Sequence, residues 1–320
     1  MLRLLTSAPP TGPLHFGHYR GAVAPFVNEF PAADEAYFTI ADLHMLAPRA
    51  DRTVTAHVPD RCRALVAECV ASGVDPDRCF FYRQSDVPEL SLIHTVLQNL
   101  VTSDELTRQA SFLRREPGPD NPASLGLLAW PVLESADIIG TGATNVVIGE
   151  GNAGHVALCR SILGRLDATW GTTLPMPVAV VSTLDLPGLD GAPKMSRSRG
   201  NTVPLRAGTS ELHRVLADMA MWTADGRCVP EVYLDSLGHT DEGSRIAGSL
   251  RARTVTPAQA RERLLAALTE TIVPIADRIT ELEKDPAFLD SLLDRGAERV
   301  RGLATDTLRV LRGELGFTRG

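Results

Sequence analysis

Short apolar runs alternate with longer amphipathic segments over residues 1–83, and this alternation constrains the possible folds more than any other feature of the chain. The apolar runs predict three buried strands, at residues 1–7, 36–41 and 79–83. The segments between them predict helices at about 17–30 and 54–72, and Gly73 is a typical residue beyond a helix C-terminus. Strands that alternate with helices form parallel sheets, so we predict an α/β fold built on a doubly wound, Rossmann-type sheet.

The remainder of the chain is predicted to be mostly helical. Residues 89–164 have a mainly helical pattern and are expected to form a helical insertion, interrupted at 114–120 by a Pro-, Gly- and charge-rich segment that predicts an exposed, mobile loop. One more buried strand is predicted at 178–182. We therefore predict an α/β domain over 1–203 and an all-helical domain over 204–320, whose clearest helices lie at 211–221, 257–271 and 288–315.

The composition is that of an ordinary globular enzyme, with 44% hydrophobic and 22% charged residues in a chain of 320. The net charge of −7 does not indicate a nucleic-acid binder, so any such contact must come from a local basic face. The candidate face lies near the C-terminus and equally fits a solvated helix surface; its arginines are Arg295, Arg299, Arg301, Arg309 and Arg312.

The five cysteines are predicted to be free thiols. Their number is odd and no C-x-x-C pair occurs, which argues against a zinc site and a disulfide framework and in favour of a reducing compartment. No apolar run has the length of a transmembrane helix, and no cleavable signal opens the chain. We therefore expect a cytoplasmic protein that does not associate with a membrane.

A first motif, Thr11–His18, lies where the first predicted strand gives way to a helix. His15 and His18 are three residues apart, so at a helix start both side chains point to the same side, where their ring N–H groups and the free backbone donors can bind phosphate. Gly17 has no side chain, so a flat adenine ring can approach the backbone. An isolated H-x-x-H is more typical of surface or metal-binding histidines, and a second motif is needed to favour phosphate binding.

That second motif is Lys194–Ser198, which combines a lysine and an arginine with two serines and Met195. Lysine and arginine total 32, yet Lys194 and Lys284 are the only lysines, so a lysine here is informative. Lysine is a compact charge that can follow a moving phosphate. Gly191 and Gly200 flank a loop that could close over a nucleotide, although alone it would read as a basic surface turn.

The two motifs resemble the HIGH and KMSKS motifs of class I aminoacyl-tRNA synthetases. Over essentially the whole chain, the strings between them are most similar to tryptophanyl-tRNA synthetases: PTGPLHFGHYRGA, ADLH, GVDPD, FYRQSDVPE, PVLESADI, VVIGE and KMSRSRGN. The resemblance implies ATP-dependent activation of tryptophan to an adenylate and its transfer to tRNA(Trp). It also implies Mg²⁺ with the ATP, a homodimer, a class I catalytic domain over 1–203 and a tRNA-binding domain over 204–320.

The resemblance assigns roles to individual residues. His15, His18, Lys194 and Arg197 would be catalytic. The ATP-binding set would be Thr11, Gly17, His18, Gly149, Glu150, Gly151, Lys194, Met195, Ser196, Arg197 and Ser198, with no metal ligand from the protein. The amino-acid-binding set would be Leu5, His44, Trp130, Glu134, Asp137 and Asn152. Asp137 would accept the indole N–H, since a buried carboxylate recognises a single donor; the alternative is a helix-face acid paired to an arginine.

The departures from the family concern the amino acid more than ATP. Trp130 and Glu134 stand where the family usually has tyrosine and methionine, and Gly151 and Asn152 replace the last two residues of its GEDQ string. Leu5 often corresponds to phenylalanine and Pro9 to glutamine, and the family's middle-loop lysine has only Arg114 or Arg115 as a candidate.

Three interpretations of these departures stay open. The pocket could keep tryptophan with altered contacts. A second acid near the side chain, Glu134, would instead suit a cationic or hydroxylated amino acid, charged or activated for specialised metabolism. A non-catalytic relative that binds tRNA or a protein partner is the third possibility, suggested by Gly151 in place of an acid.

Overall fold

The computed structural model of the chain describes residues 1–47, 51–109 and 124–317. Its sheet has five strands: β1 (Arg3–Ala8), β2 (Glu35–Ile40), β3 (Cys79–Arg83), β4 (Asn145–Gly149) and β5 (Val178–Ser182). The helices are α1 (Phe16–His18), α2 (Ala24–Glu29), α3 (Arg52–Thr55), α4 (Val58–Ala71), α5 (Pro88–Leu97), α6 (Ser103–Gln109), α7 (Leu125–Thr141), α8 (Ala153–Trp170), α9 (Thr209–Leu216), α10 (Val229–Ser236), α11 (Thr240–Arg251), α12 (Pro257–Leu282) and α13 (Pro286–Glu314).

All neighbouring strands pair in parallel, in the order β3-β2-β1-β4-β5, so the predicted Rossmann-type sheet is confirmed. The chain moves outward from β1 to β3 and then returns to place β4 on the other side of β1. In parallel α/β sheets, ligands bind outside the carboxyl ends of the strands at such a switch point. The topology therefore directs attention to the ends of β1 and β4.

The sheet is covered on both faces by apolar helices. One core joins the sheet to α5, α7, α8 and α13, and the other joins it to α2, α4, α12 and the first turns of α13. A third core lies outside the sheet, where Phe16 and Met195 from the two sequence motifs pack with α9, α10 and α12. The C-terminal helices thus rest directly on the two motifs.

The segment 89–164 is mainly helical, as predicted, but it also contains a strand that was not predicted, β4. The residues of β4 pair with β1 on one side and with β5 on the other. A short, buried apolar run has no periodicity that distinguishes a strand from a helix turn, and its length is the only local clue. The insertion is therefore a helical segment up to Thr141, followed by a central strand.

Two predicted helices are also divided more finely in the structure. The helix predicted at 17–30 consists of α1, a π-helical turn over Tyr19–Val23 and α2, and the one predicted at 54–72 begins only at Val58. The predicted loop at 114–120, with Arg114 and Arg115, lies outside the described residues.

The residues beyond 204 are helical, as predicted, but the last helix returns to the sheet. Arg295 donates to the carbonyl of Pro76, Arg299 pairs with Glu35, and Arg301 donates to the carbonyl of Asp86. Three of the five arginines proposed as a basic face therefore hold α13 against the strand ends. In the described ranges no helix is long and apolar enough to cross a membrane. All five cysteines are buried free thiols.

Candidate active site

A cleft of about 500 Å³ opens at the carboxyl ends of β1, β4 and β5. It brings together most of the residues predicted to bind ATP, namely His15, Gly17, His18, Gly149, Glu150, Gly151, Lys194 and Met195. Thr11, Ser196, Arg197 and Ser198 line an adjoining, more open depression that shares His15 and His18 with the cleft. The two sequence motifs therefore form one continuous surface at the switch point of the sheet.

The first motif is held in place by backbone contacts with the segment after the second motif. The amide of Phe16 donates to the carbonyl of Val203 at 2.9 Å, and His15 forms a β-bridge with Pro204. This pairing places the rings of His15 and His18 in a stack with centroids 3.6 Å apart. A Cβ at Gly17 would lie 3.0 Å from Nδ1 of His15, so a side chain here would press on the stacked ring and narrow the cleft.

Both histidines are neutral at physiological pH. Burial, and then the neighbouring charges of His18, Arg197 and Lys194, lowers the pKa of His15 to about 3. Burial, and then Arg197 and Lys194, lowers the pKa of His18 to about 4. The Nδ1 atom of His18 accepts from the amide of His15 at 3.3 Å, which leaves the proton on Nε2. His18 can thus donate Nε2–H to an anion in the cleft.

Arg197 connects the second motif to the first. Its guanidinium donates to Oγ1 of Thr11 at 2.7 Å and to the carbonyl of Pro13 at 3.4 Å. The loop itself is shaped by Asn201, whose side chain accepts from the amide of Ser196 at 2.7 Å and donates to Asp190 at 2.8 Å. The loop therefore lies against the first motif, and Arg197 joins the two by hydrogen bonds.

Lys194 is the exposed cation of the cleft. Its neighbour Met195 is 4% exposed and packs into the third core, so the loop is anchored immediately beside the lysine. In the residues that the structure describes, no acidic side chain forms an ion pair with Lys194. Its charge is therefore available to a phosphate group.

Glu68 and Arg206 support the motifs, although sequence analysis missed both. Glu68 is 1% exposed and accepts from the amide of Leu14 at 2.9 Å and from Nε of Arg206 at 2.5 Å. Arg206 also donates to Glu283 at 2.7 Å. The ion pair joins the residue before His15 to the segment after the second motif. No local pattern could have revealed it, because the partners are far apart in the chain.

Two of the residues predicted to bind the amino acid, His44 and Asp137, form a buried polar chain with Gln84. Gln84, a residue that sequence analysis did not single out, donates to Oδ2 of Asp137 at 2.7 Å and its Oε1 lies 3.0 Å from Nδ1 of His44. Oδ1 of Asp137 is buried without a hydrogen-bond partner in the described part of the chain. Burial raises the pKa of Asp137 well above its usual range and lowers that of His44. Within residues 1–47, 51–109 and 124–317, the partner of Asp137 is Gln84, and no arginine pairs with it.

The remaining members of this set are divided between the cluster and the cleft. The rings of Trp130 and His44 have centroids 5.2 Å apart, and Glu134 lies 2.7 Å from Nδ1 of His155. Leu5 is buried in the core of the sheet, at 2% exposure. Asn152 instead lines the nucleotide cleft. Gln84 could have been found from its position directly after β3, at the ligand-binding edge of the sheet.

Comparisons with known proteins agree with this geometry. Residues 1–223 match the family model described as tRNA synthetases class I (W and Y). The tryptophan–tRNA ligase of Treponema pallidum is 34% identical, over 99% of this chain and 98% of the relative, and that of Xanthomonas campestris is 31% identical, over 98% and 76%.

The solved structure of tryptophanyl-tRNA synthetase from Campylobacter jejuni, complexed with ADP and tryptophan, has the same fold. The two structures match with a TM-score of 0.82 and 24% identity, over 98% of this chain and 100% of that one. The family model and the full-length sequence similarity show that the chain belongs to the tryptophanyl-tRNA synthetases, within the tryptophan and tyrosine branch of class I.

Proposed function

We propose that this enzyme activates tryptophan with ATP and transfers the activated amino acid to tRNA(Trp). The observation that carries the proposal is the meeting of the two motifs in one cleft, with a buried, unpartnered carboxylate oxygen on Asp137 behind it. The ligase activity is what family membership and full-length similarity to tryptophan–tRNA ligases support. A motif-bearing cleft with free cations also argues against the non-catalytic alternative.

In the first step, the carboxylate of the amino acid attacks the α-phosphorus of ATP and the bond to the β-phosphate oxygen breaks, releasing pyrophosphate. Lys194 and Arg197 would neutralise the leaving pyrophosphate, and His15 and His18 would donate hydrogen bonds to phosphate oxygens. Neutral imidazoles suit this role because they donate without bringing a proton that must be removed. In the second step, a hydroxyl of the terminal ribose of tRNA attacks the acyl carbonyl and AMP leaves.

Selection of the side chain would depend on Asp137. Its Oδ2 is held by Gln84, which leaves Oδ1 as the acceptor for one donor. The indole N–H supplies that donor, whereas a phenyl ring would leave the oxygen buried and unpaired. Glu150 and Asn152, which line the cleft, would lie near the amine or the ribose. Gly151 leaves open space there, since a Cβ at this position would contact nothing within 4 Å.

The proposal extends to Mg²⁺, an oligomer and a compartment. Mg²⁺ would enter with the ATP triphosphate as part of the substrate, since this ion is usually held by substrate phosphates rather than by a dedicated protein cage. A homodimer that acts in the cytoplasm and binds tRNA through its helical region rests on family membership. The mass of the purified protein in solution tests the dimer directly.

Amino-acid-dependent ATP–pyrophosphate exchange, measured across the twenty standard amino acids and several tryptophan derivatives, tests the proposal. We expect exchange with tryptophan and none with phenylalanine or tyrosine. Exchange with another amino acid would contradict the assigned substrate while leaving the reaction intact. Silence across the panel, with ATP still bound, would contradict the activation step for this whole set of amino acids.

A further inference from the structure

Glu134 has no part in the reaction as described, although it lies among the residues that would hold the amino acid. Its side chain is 9% exposed and its Oε2 is 2.7 Å from Nδ1 of His155, whose side chain is 10% exposed. The charge of Glu134 also acts on Asp137 and on His44. A carboxylate is costly to bury, so its presence here calls for an explanation.

The direction of α7 tells which end of the substrate Glu134 would meet. The helix starts at the carboxyl edge of the sheet, where Ser124 donates to the carbonyl of Ala47, downstream of β2. It ends at the opposite edge, where the carbonyl of Thr141 accepts from Arg3 at the start of β1. At 1.5 Å per residue, Glu134 lies about 4.5 Å nearer than Asp137 to the carboxyl edge of the sheet, where the cleft opens.

The position of His155 agrees with this placement. His155 belongs to the first turn of α8, which begins at the carboxyl end of β4. Asn152 at the start of the same helix lines the nucleotide cleft. Glu134 and His155 therefore lie nearer to the carboxyl edge of the sheet than Asp137 does.

A bound amino acid must be oriented along this same line. Its carboxylate has to reach the α-phosphorus in the cleft, and its indole N–H has to reach Asp137. The α-ammonium group is attached to the carbon next to the carboxylate, so it lies nearer to the cleft than the ring nitrogen does. Glu134 is a buried acid on this side of Asp137, and its sign complements the ammonium charge. The other buried acid that acts on Asp137, Asp42, already accepts hydrogen bonds from Leu43 and Ser85.

We propose that Glu134, oriented by His155, binds the α-ammonium group of the amino acid and so selects substrates with a free amine. This inference rests on the proposed function. Among the described residues, Glu134 forms its hydrogen bond through Oε2. Its Oε1 is therefore the atom that would accept a charge-assisted hydrogen bond from the ammonium group. His155 is a positioning residue. A role in reading a cationic or hydroxylated ring fits less well, because Asp137 occupies the deeper position.

Two partial analogues of tryptophan separate these roles in calorimetric binding experiments. Tryptamine has the amine without the carboxylate, and indole-3-propionate has the carboxylate without the amine. Hydrogen bonds to charged groups contribute about 1.5–3 kcal/mol, so Glu134→Gln should weaken tryptamine about 10- to 150-fold. The affinity for indole-3-propionate should stay within about twofold, since it never contacts Glu134.

Variants of the positioning residue provide a rescue test. His155→Ala should weaken tryptamine selectively, because Glu134 loses the donor that orients it. His155→Asn keeps an N–H near the position of Nδ1, so it should restore much of the affinity. If His155 had only a packing role, His155→Asn would not restore the tryptamine affinity that His155→Ala loses.

Asp137→Asn is the matched control, because both analogues carry the indole N–H and should weaken by the same factor. Equal weakening of both analogues by Glu134→Gln would overturn the proposal in favour of a structural role. If Glu134→Gln bound tryptamine and indole-3-propionate as the wild type does, the proposal would also fail. A changed preference between tryptophan and 5-hydroxytryptophan in that variant would then indicate that Glu134 recognises the ring. If the wild-type protein neither binds the analogues nor gives exchange with tryptophan, the proposed function itself fails.

Discussion

Lys194 is the residue whose substitution we expect to slow the reaction most. Its charge lies in the cleft beside Met195, which anchors it, and removing one such electrostatic contact from a transition state typically costs about 10²–10³-fold in rate. We therefore expect Lys194→Ala to slow ATP–pyrophosphate exchange by about that factor. Lys284→Ala is the matched control, since Lys284 pairs with Glu281 at the exposed end of α12. A rate for Lys194→Ala within threefold of wild type would remove it from the mechanism.

The two stacked histidines predict how acid acts on the protein without nucleotide. Their folded pKa values, about 3 for His15 and about 4 for His18, lie below the ordinary value of 6.5. Between those values the unfolded chain takes up protons that the folded protein does not, so stability falls as the pH drops from about 6.5 towards 4. At pH 5 each histidine should contribute a loss of about 1–2 kcal/mol.

Denaturant unfolding of the wild type and of His15→Asn/His18→Gln at pH 7 and pH 5 measures this loss. The variant should lose less free energy of unfolding than the wild type over that interval. The same loss in both proteins would mean that other groups carry the acid sensitivity.

The Glu68–Arg206 ion pair acts at the scale of elements, because it connects α4 to the segments that carry both motifs. Arg206→Gln leaves Glu68 as a buried, unpaired charge and should destabilise the fold by about 3–5 kcal/mol. Glu68→Gln keeps the acceptor for Leu14 and should cost less, and the double variant should recover part of the loss. Denaturant unfolding measures all three proteins.

Arg214→Gln provides the comparison for this pair, since its contact with Glu211 is exposed and should contribute less than about 1 kcal/mol. Additive effects of the two substitutions in the buried pair would show that Glu68 and Arg206 are not coupled.

Sequence reasoning reached those features of the site that have a local pattern. The strands β1, β2 and β3 and both motifs follow from spacing and residue type, as does the position of β5. The predicted burial of β5 is wrong, because it lies at the edge of the sheet with Val178 and Val181 exposed. The strand β4 was not predicted, because its five residues have no periodicity of their own and its identity depends on pairing with β1 and β5. Glu68 and His155 were missed for a related reason: each acts through a partner distant in the sequence, which only the fold brings near. Gln84 was missed although its position directly after β3 was a usable signal.

At the scale of the whole molecule, the last helix is part of the core that supports the site. Gly296 of α13 lies so close to the carbonyl of Phe81 in β3 that no Cβ fits without movement. We therefore expect Gly296→Ala to destabilise the protein by about 1–3 kcal/mol through overpacking. The melting temperature or the free energy of unfolding measures the effect.

Gly302 of the same helix is the control, because a Cβ there would meet nothing within 4 Å. Gly302→Ala should be neutral or should stabilise the helix by up to about 1 kcal/mol. If Gly296→Ala were equally harmless, α13 would not be packed against the sheet as described.

The return of α13 to β3 has a consequence in time as well as in space. About 200 residues separate the end of β3 from the start of α13, and at about 5–20 residues per second a ribosome needs roughly 10–40 s to make them. Throughout that interval the face of β3 that packs against α13 is not covered by this helix. A chain cut short by premature termination never receives that cover, so synthesis of the last helix decides whether the earlier part of the protein can mature.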